Sequence, residues 1–318
     1  MPYLHHQVKN THSQMKSLIK NPAKVAVLLA SYQGLPWIEE QISSIINQKS
    51  VTLLLTISDD ESDDGTADYL QKKQKHEVFT LLPSVRSGSA AQNFFRLLKE
   101  QNLAQVDYVA FSDQDDIWLP QKLDTAIKAI RLQNVDAYSS SVEAFWHDGR
   151  SQLINKAQPQ TKYDYMFESA GPGCTFVITQ ALALSLQEML TQQQGSLNNV
   201  ALHDWFIYAF ARSRGYQWYI DPTPTLLYRQ HTDNAVGANS GIKAMKSRWA
   251  KLKEGWYVDQ ILLVAHILNY QHSAPIRKIQ RLNLWDRVHL ALFSWQFRRR
   301  LRDRFAFAFF ILFLARKP

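Results

Sequence analysis

Little in this chain of 318 residues lends itself to covalent stapling. Cys174 is its one cysteine, so no intrachain disulfide can form, which fits a reducing compartment. The opening MPYLHHQVKN has no apolar core of the kind a secretory signal carries. Residues 1–22 are expected to be a loosely ordered lead-in, since polar residues dominate there without periodicity. No internal repeat or low-complexity tract occurs. The run FAFAFFILFLA, Phe305 to Ala315, has 11 residues, whereas a helix needs ~20 apolar residues to cross a bilayer. Net charge is also nearly absent from most of the chain. Of the net +8, residues 273–318 carry +9 (eleven Lys or Arg against two Asp), which leaves the body at −1. The basic pI of 9.4 is therefore a property of the C-terminal tail and points to an anionic surface, lipid or nucleic acid.

What is present, at 46% hydrophobic residues, suffices for one large core or a main domain with an appendage. KVAVLLASY reads as a strand, and residues 36–48 as a helix with Trp37, Ile38, Ile42, Ile45 and Ile46 on one side. VTLLLTIS is a second strand, and Gly65-Thr66 opens a second helix. A third strand is expected near residues 78–82, followed by Gly88 and the helical AAQNFFRLLKE. DYVAFS is a fourth strand, with a helix over residues 119–132 beyond it. Strands alternating with helices imply βαβ units and a mostly parallel sheet, and such sheets bind ligands at the carboxyl ends of their strands. Those ends carry Ser31 and Tyr32, then Asp59 and Asp60, then Asp113, Asp115 and Asp116, so the three clusters should face one crevice. Beyond residue 135 the pattern is mixed. GPGCTFVIT reads as a turn into a strand, HDWFIYAFARSRG as a helix with an acidic start and a glycine stop, and YQWYI and PTLLYRQH as strands. From Gly241 onward the chain reads as helical, Trp-rich and basic. The domain expectation is a lead-in over 1–22, a main domain over 23–240 and a helical basic and apolar region over 241–318.

The sharpest chemical signal is FSDQDDIW, residues 111–118. Three carboxylates in four positions repel one another unless a cation is present, and Mg²⁺ or Mn²⁺ prefers such oxygens. The plainer alternative is an acidic cap for the next helix. In ISDDESDDGT, residues 57–66, Asp59 and Asp60 could accept hydrogen bonds from a base or ribose, or simply form a turn and cap. Asp204, in LHDWF, could be a general base or only a favourable first-turn charge. Arg229 and His231, in YRQHTDNAVG, could bind diphosphate oxygens or, for the imidazole, a metal; otherwise they belong to a solvated loop.

Taken together, these stretches resemble the inverting glycosyltransferases of family 2, in particular the bacterial rhamnosyltransferase-like branch that builds surface polysaccharides. The resemblance covers residues 24–240. It rests on LLASYQG, SDDESDDGT, SGSAAQNFFRLL, FSDQDDIW, HDWF and YRQHTDNAVG. It implies an α/β nucleotide-diphospho-sugar transferase fold (GT-A type) with a mixed central sheet and a helical C-terminal extension. Ala30, Ser31, Tyr32, Asp59, Asp60, Asp113, Gln114 and Arg229 would hold the nucleotide-sugar. Asp115, with Asp116 and His231, would hold Mg²⁺ or Mn²⁺; the division of labour among Asp113, Asp115 and Asp116 stays open. Asp204 would be the base of a single displacement. Arg86 stands where many members of the family carry Asn, which bears on donor identity; the branch favours rhamnose on thymidine diphosphate.

Two other readings compete. A nucleotidyltransferase would also pair a nucleotide crevice with a carboxylate-bound metal, but no glycine-rich loop followed by Arg or Lys lies near the first strand. A nucleic-acid-binding protein would carry its basic stripe on the binding domain, and here the body is near neutral. The expected partners are a nucleoside-diphosphate-sugar and a glycan acceptor that is lipid-linked. Arg298, Arg299, Arg300, Arg302 and Arg304, beside Trp295 and Phe297, suggest a tail lying in an anionic membrane interface. The enzyme would then be cytoplasmic and peripheral at the inner membrane.

Overall fold

The computed structural model describes residues 22–193, 195–231 and 255–313. The lead-in through residue 21, the segment 232–254 (the end of the YRQHTDNAVG stretch included) and residues 314–318 lie outside the described residues.

The βαβ alternation is realised. Strand β1 (Ala23–Ser31) is followed by helix α1 (Ile38–Ile46), β2 (Val51–Asp59), α2 (Thr66–Lys73), β3 (Thr80–Leu81), α3 (Ala90–Glu100) and β4 (Tyr108–Ser112). Then come β5 (Ile117–Trp118), α4 (Lys122–Gln133), β6 (Ala137–Ser140), β7 (Val142–Trp146), β8 (Ser151–Ile154), β9 (Val177–Thr179), α5 (Gln180–Gln192) and α6 (His203–Ser213). Strands β10 (Trp218–Asp221) and β11 (Leu226–Gln230) precede, among the described residues, four C-terminal helices: α7 (Trp256–Ile267), α8 (Ala274–Arg281), α9 (Leu284–Leu292) and α10 (Leu301–Phe313).

The main sheet has seven strands in the order β10-β6-β9-β4-β1-β2-β3. It is mixed: β1 pairs in parallel with β2 and β4, while β9 runs antiparallel to β4 and β6. Strand β1 is buried along nearly all its length, as a central parallel strand must be. Its alternation splits the core. Ala26, Leu28 and Ala30 face one layer with α3, α5, α6 and the C-terminal helices. Val25, Val27 and Leu29 face the other, with α1, α2 and α4. The C-terminal helices thus share the core of the main sheet through residues such as Ile261, Val264, Phe297, Phe307 and Ile311.

The third strand contracts to two residues. A second sheet, in the order β5-β11-β7-β8, was not legible in sequence because its strands are short and only partly apolar. Its position matters more than its size. Strand β5 begins directly after Asp116 and pairs antiparallel with β11 (Trp118 opposite Leu226, Ile117 opposite Leu227). That pairing carries Arg229 and His231 back onto the acidic cluster.

Candidate active site

The carboxyl ends of β1, β2 and β4 meet as their topology requires. Ser31 and Asp59 are register partners at the ends of β1 and β2. Asn93 on α3 fastens the pair: its amide donates to the carbonyls of Ser31 (3.3 Å) and Ser58 (3.0 Å). Asp59 accepts from the Ser62 backbone N–H at 2.9 Å and from the Ser62 hydroxyl at 2.7 Å. Asp60 accepts from the backbone N–H groups of Ser87 and Gly88. Both aspartates are buried, and both shape the loops that wall the crevice. In the same turn Gly65 has φ +96°, a conformation that favours glycine. Beside it, Asp64 accepts from the Leu35 N–H and from Thr66, tying the β1 loop to the start of α2.

Gln114 braces the end of β1. Its carbonyl oxygen accepts from the Tyr32 N–H at 2.7 Å and the Ser31 hydroxyl at 3.1 Å, and its amide donates to the Tyr32 carbonyl at 2.7 Å. A Cβ at position 34 would collide with this amide, so Gly34 is needed for the close approach. Ala30 is buried in the strand, whereas Tyr32 stands exposed at the rim. Arg86 lies over the Tyr32 ring, 5.1 Å from its centroid. The departure at position 86 therefore touches the predicted nucleotide wall directly.

The acidic cluster is graded in depth. Asp113 is half-buried, Asp115 buried, and Asp116 wholly buried. Burial, followed by the charges of Asp115 and Asp204, pushes Asp113 up to about 7. Burial, then Asp115 and Asp113, pushes Asp116 well above the usual carboxylate range. Neither Asp116 oxygen makes a well-formed hydrogen bond. Oxygens of Asp113 and Asp116 and the Cys174 sulfur lie within 4.8 Å of one another. Beneath them the buried Lys122 ammonium, also without a hydrogen bond, sits 4.0 Å from the centre of the Trp118 ring. Burial lowers Lys122 to about 8.

Arg229 and His231 join this cluster from β11. The Arg229 Nε donates to the Asp115 carbonyl at 2.8 Å, and its Nη2 pairs with Glu40 at 2.5 Å. The His231 Nε2 lies 2.8 Å from Asp115 Oδ2, and its ring stacks on Trp37 at 4.0 Å. The gathered Asp113 and Asp116 oxygens, those of Asp116 without hydrogen-bond partners, are of the kind Mg²⁺ or Mn²⁺ prefers, and His231 meets Asp115 beside them.

Asp204 faces the cluster from the first turn of α6, close enough to Asp113 for their charges to interact. Burial raises it to about 6, against the opposing hydrogen bonds of Trp205 N–H and Ser169 and the charge of Lys156. Its neighbour His203 is buried against Phe94 at 4.0 Å, and burial alone lowers it to about 3. It is therefore a neutral packing residue at physiological pH. Asn93, Lys122, Ser169 and Lys156 escaped the sequence reading, because a single Asn, Lys or Ser carries no spacing signal.

The tail arginines need a correction. The sequence places them together on a lipid-facing surface, whereas the fold turns three of them inward. Arg299 pairs with Asp164 at 3.1 Å and donates to the Ser169 carbonyl at 2.6 Å. Arg298 donates to the Phe167 carbonyl at 2.8 Å, and Arg304 donates to the carbonyls of Arg298 and Arg299. Arg300 is half-buried on Gln158, and Arg302 stays exposed.

An α/β layer with a mixed sheet and a carboxylate crevice at its strand ends is the architecture of GT-A-type sugar transferases. The fold is similar to that of S. aureus TarS (TM-score 0.51, 13% identity, 91% of this chain and 89% of that one). It is equally similar to the mannosyltransferase PcManGT from Pyrobaculum calidifontis, solved with GDP-Man and Mn²⁺ (TM-score 0.51, 16% identity, 92% and 86%). The model of the family described as "Glycosyl transferase family 2" matches residues 26–185. The chain is 41% identical over 279 residues to the dTDP-rhamnosyl transferase RfbG of Shigella flexneri, covering 87% of this chain and 96% of that protein. It is 24% identical over 163 residues to the Escherichia coli glucosyltransferase WfgD, whose name gives a GlcNAc-diphosphoundecaprenol acceptor, covering 51% and 62%. The protein belongs to glycosyl transferase family 2, and it is a glycosyltransferase.

Proposed function

We propose that the enzyme transfers rhamnose from a thymidine-diphosphate carrier to a hydroxyl of a growing surface glycan, by single displacement with inversion. The observation that carries the donor is the 41% identity to a dTDP-rhamnosyl transferase across nearly all of that protein. Neither the nucleotidyltransferase nor the nucleic-acid reading draws support from these relatives. The proposed wall for the nucleotide-sugar is Ala30, Ser31, Tyr32, Asp59, Asp60, Asp113 and Arg229, with Gln114 holding the Tyr32 backbone in place.

Asp204 takes the proton from the acceptor hydroxyl as that oxygen attacks the anomeric carbon. The bond to the nucleoside diphosphate breaks on the opposite face, so no covalent enzyme intermediate is required. Asp113, Asp115, Asp116 and His231 would hold Mg²⁺ or Mn²⁺; the closeness of the Asp113 and Asp116 oxygens, the contact of His231 with Asp115 and the Mn²⁺ in a structure of the same fold support this. The bound ion supplies Lewis-acid neutralisation of the departing diphosphate. Arg229 fixes the Asp115 backbone and adds positive charge at the same wall.

The acceptor is a lipid-linked glycan, met by a cytoplasmic enzyme held at the membrane surface; the acceptor in the name of WfgD supports this. Transfer assays against a panel of nucleotide-sugars with Mg²⁺ or Mn²⁺ test the donor. Preferred turnover of dTDP-rhamnose is expected, and a preference for a uridine-linked hexose or N-acetylhexosamine would overturn it.

A further inference from the structure

Helices α9 and α10 pack against each other and leave a continuous apolar face outward. On α10, Phe307, Phe310 and Ile311 are buried in the core, while Leu301, Phe305, Phe309 and Phe313 recur every fourth residue on the other side. That spacing makes a single stripe along the helix. Phe305 is 69% exposed and Phe313 71%. Helix α9 adds Leu284, Leu292 and Trp285, the last 81% exposed, and the turn between the helices adds Phe293 and Trp295, the latter 53% exposed. Scattered exposed hydrophobics need no explanation, but a helix-long aromatic stripe beside a second helix and a turn that also expose tryptophan and leucine marks an interaction surface.

Two observations choose the occupant. The first is aromatic and aliphatic content without length: among the described residues no helix is long and apolar enough to cross a membrane. Trp and Phe on a short helix instead suit the headgroup–acyl boundary. The second is charge. Helices α8, α9 and α10 carry Arg277, Lys278, Arg281, Arg287, Arg302 and Arg304 against Asp286, which pairs with Lys278 and Arg281, and Asp303, which pairs with Arg302, so a net positive charge remains. A second copy of this face would meet like charge, whereas an anionic leaflet would meet its complement.

The geometry points to the α9–α10 face as a membrane-docking platform that inserts Trp285, Trp295, Leu301 and Phe305 into an anionic leaflet. This deepens the membrane reading above by replacing an arginine-driven attachment with an apolar one. The arginines that turn inward serve a different end. Arg299 joins the platform to the Ser169 loop beside Asp204.

The test uses the full chain in flotation gradients with phosphatidylcholine vesicles and with vesicles containing phosphatidylglycerol. The wild type is expected to float with the anionic vesicles and largely to stay bound at high salt. Brominated lipids should quench its tryptophan fluorescence. The combined variant Trp285→Ser, Trp295→Ser and Phe305→Ser should partition about tenfold less, since apolar insertion drives the binding. Its nucleotide affinity and its turnover with a soluble acceptor should match wild type, which also reports that it is folded. Wild type that neither floats nor is quenched would overturn the inference, as would a variant that floats equally well. Sedimentation showing a wild-type dimer that the substitutions split would make the face a self-association surface and overturn it too. Failure of the donor panel leaves every one of these readings unchanged, so the two ideas fall separately.

Discussion

His231 Nε2 sits 2.8 Å from Asp115 Oδ2, although 116 positions separate the two residues in the chain. The antiparallel pairing of β5 with β11 makes the contact, and the stacking of His231 on Trp37 fixes the ring plane. Ala at position 115 should lower turnover by about a hundredfold or more, and His231→Ala by a smaller factor of about ten, if both are ligands of one ion. Both variants should need more Mn²⁺ for half-maximal rate. Activity that survives a chelator in the wild type would remove the metal from the mechanism.

Replacing Asp204 with Asn keeps the shape and removes the proposed base. Turnover should fall by about 10²–10⁴-fold while calorimetric affinity for the nucleoside diphosphate stays near wild type. Because burial raises Asp204 to about 6, the wild-type rate should fall as pH drops through that value and the carboxylate is protonated. A turnover profile flat from pH 5 to pH 8 would be evidence against the base.

Asp113 predicts a pH-dependent stability. Its value rises from 3.8 to about 7 on folding, through burial and the charges of Asp115 and Asp204. Between those two values the native state holds a proton that the unfolded chain has released. This contribution is fully present below 3.8 and is lost as pH rises through about 7. In a chelator, the melting temperature should decline across that window; Asp113→Asn should flatten the decline, and Mn²⁺ should restore stability at pH 8. An unchanged slope in Asp113→Asn would assign the effect elsewhere.

The tail arginines separate by depth. Arg299→Ala leaves Asp164, which is wholly buried, without its 3.1 Å partner. An uncompensated buried charge costs about 3–5 kcal/mol; because Tyr208 and Arg212 still reach Asp164, the expected loss is at the lower end of that range. Arg302→Ala removes an exposed pair with Asp303, which contributes about 0–1 kcal/mol. Denaturant unfolding measures both, and equal small effects would contradict the inward placement of Arg299.

The convergence of Ser31, Asp59 and the acidic cluster on one crevice was legible because strand ends announce themselves. An apolar run that stops at Ser31, Asp59 or Ser112 fixes where the next side chains go, whatever the loops do. The small second sheet was not legible: Ile117–Trp118 is two residues long, and its partner lies more than a hundred positions away. The arginine run misled for a related reason. Net charge along a segment says nothing of its counter-ions, and Asp164 and Glu168 lie some 130 positions upstream. Lys122 was hidden because a lysine at a helix start normally reaches solvent, whereas here the Trp118 ring covers it.

The Arg299 anchorage also changes what shortening the chain would mean. A protein ending at Gln280 loses α9, α10 and Arg299 together, so Asp164 keeps only Tyr208 and the more distant Arg212, and the Ser169 loop loses its backing next to Asp204. Trimming the greasy end to gain solubility would therefore damage the active centre, and loss of membrane binding in such a protein would say nothing about lipid contact. The C-terminal helices back the loop beside Asp204, so only point changes on their outer face can separate the proposed docking from the chemistry.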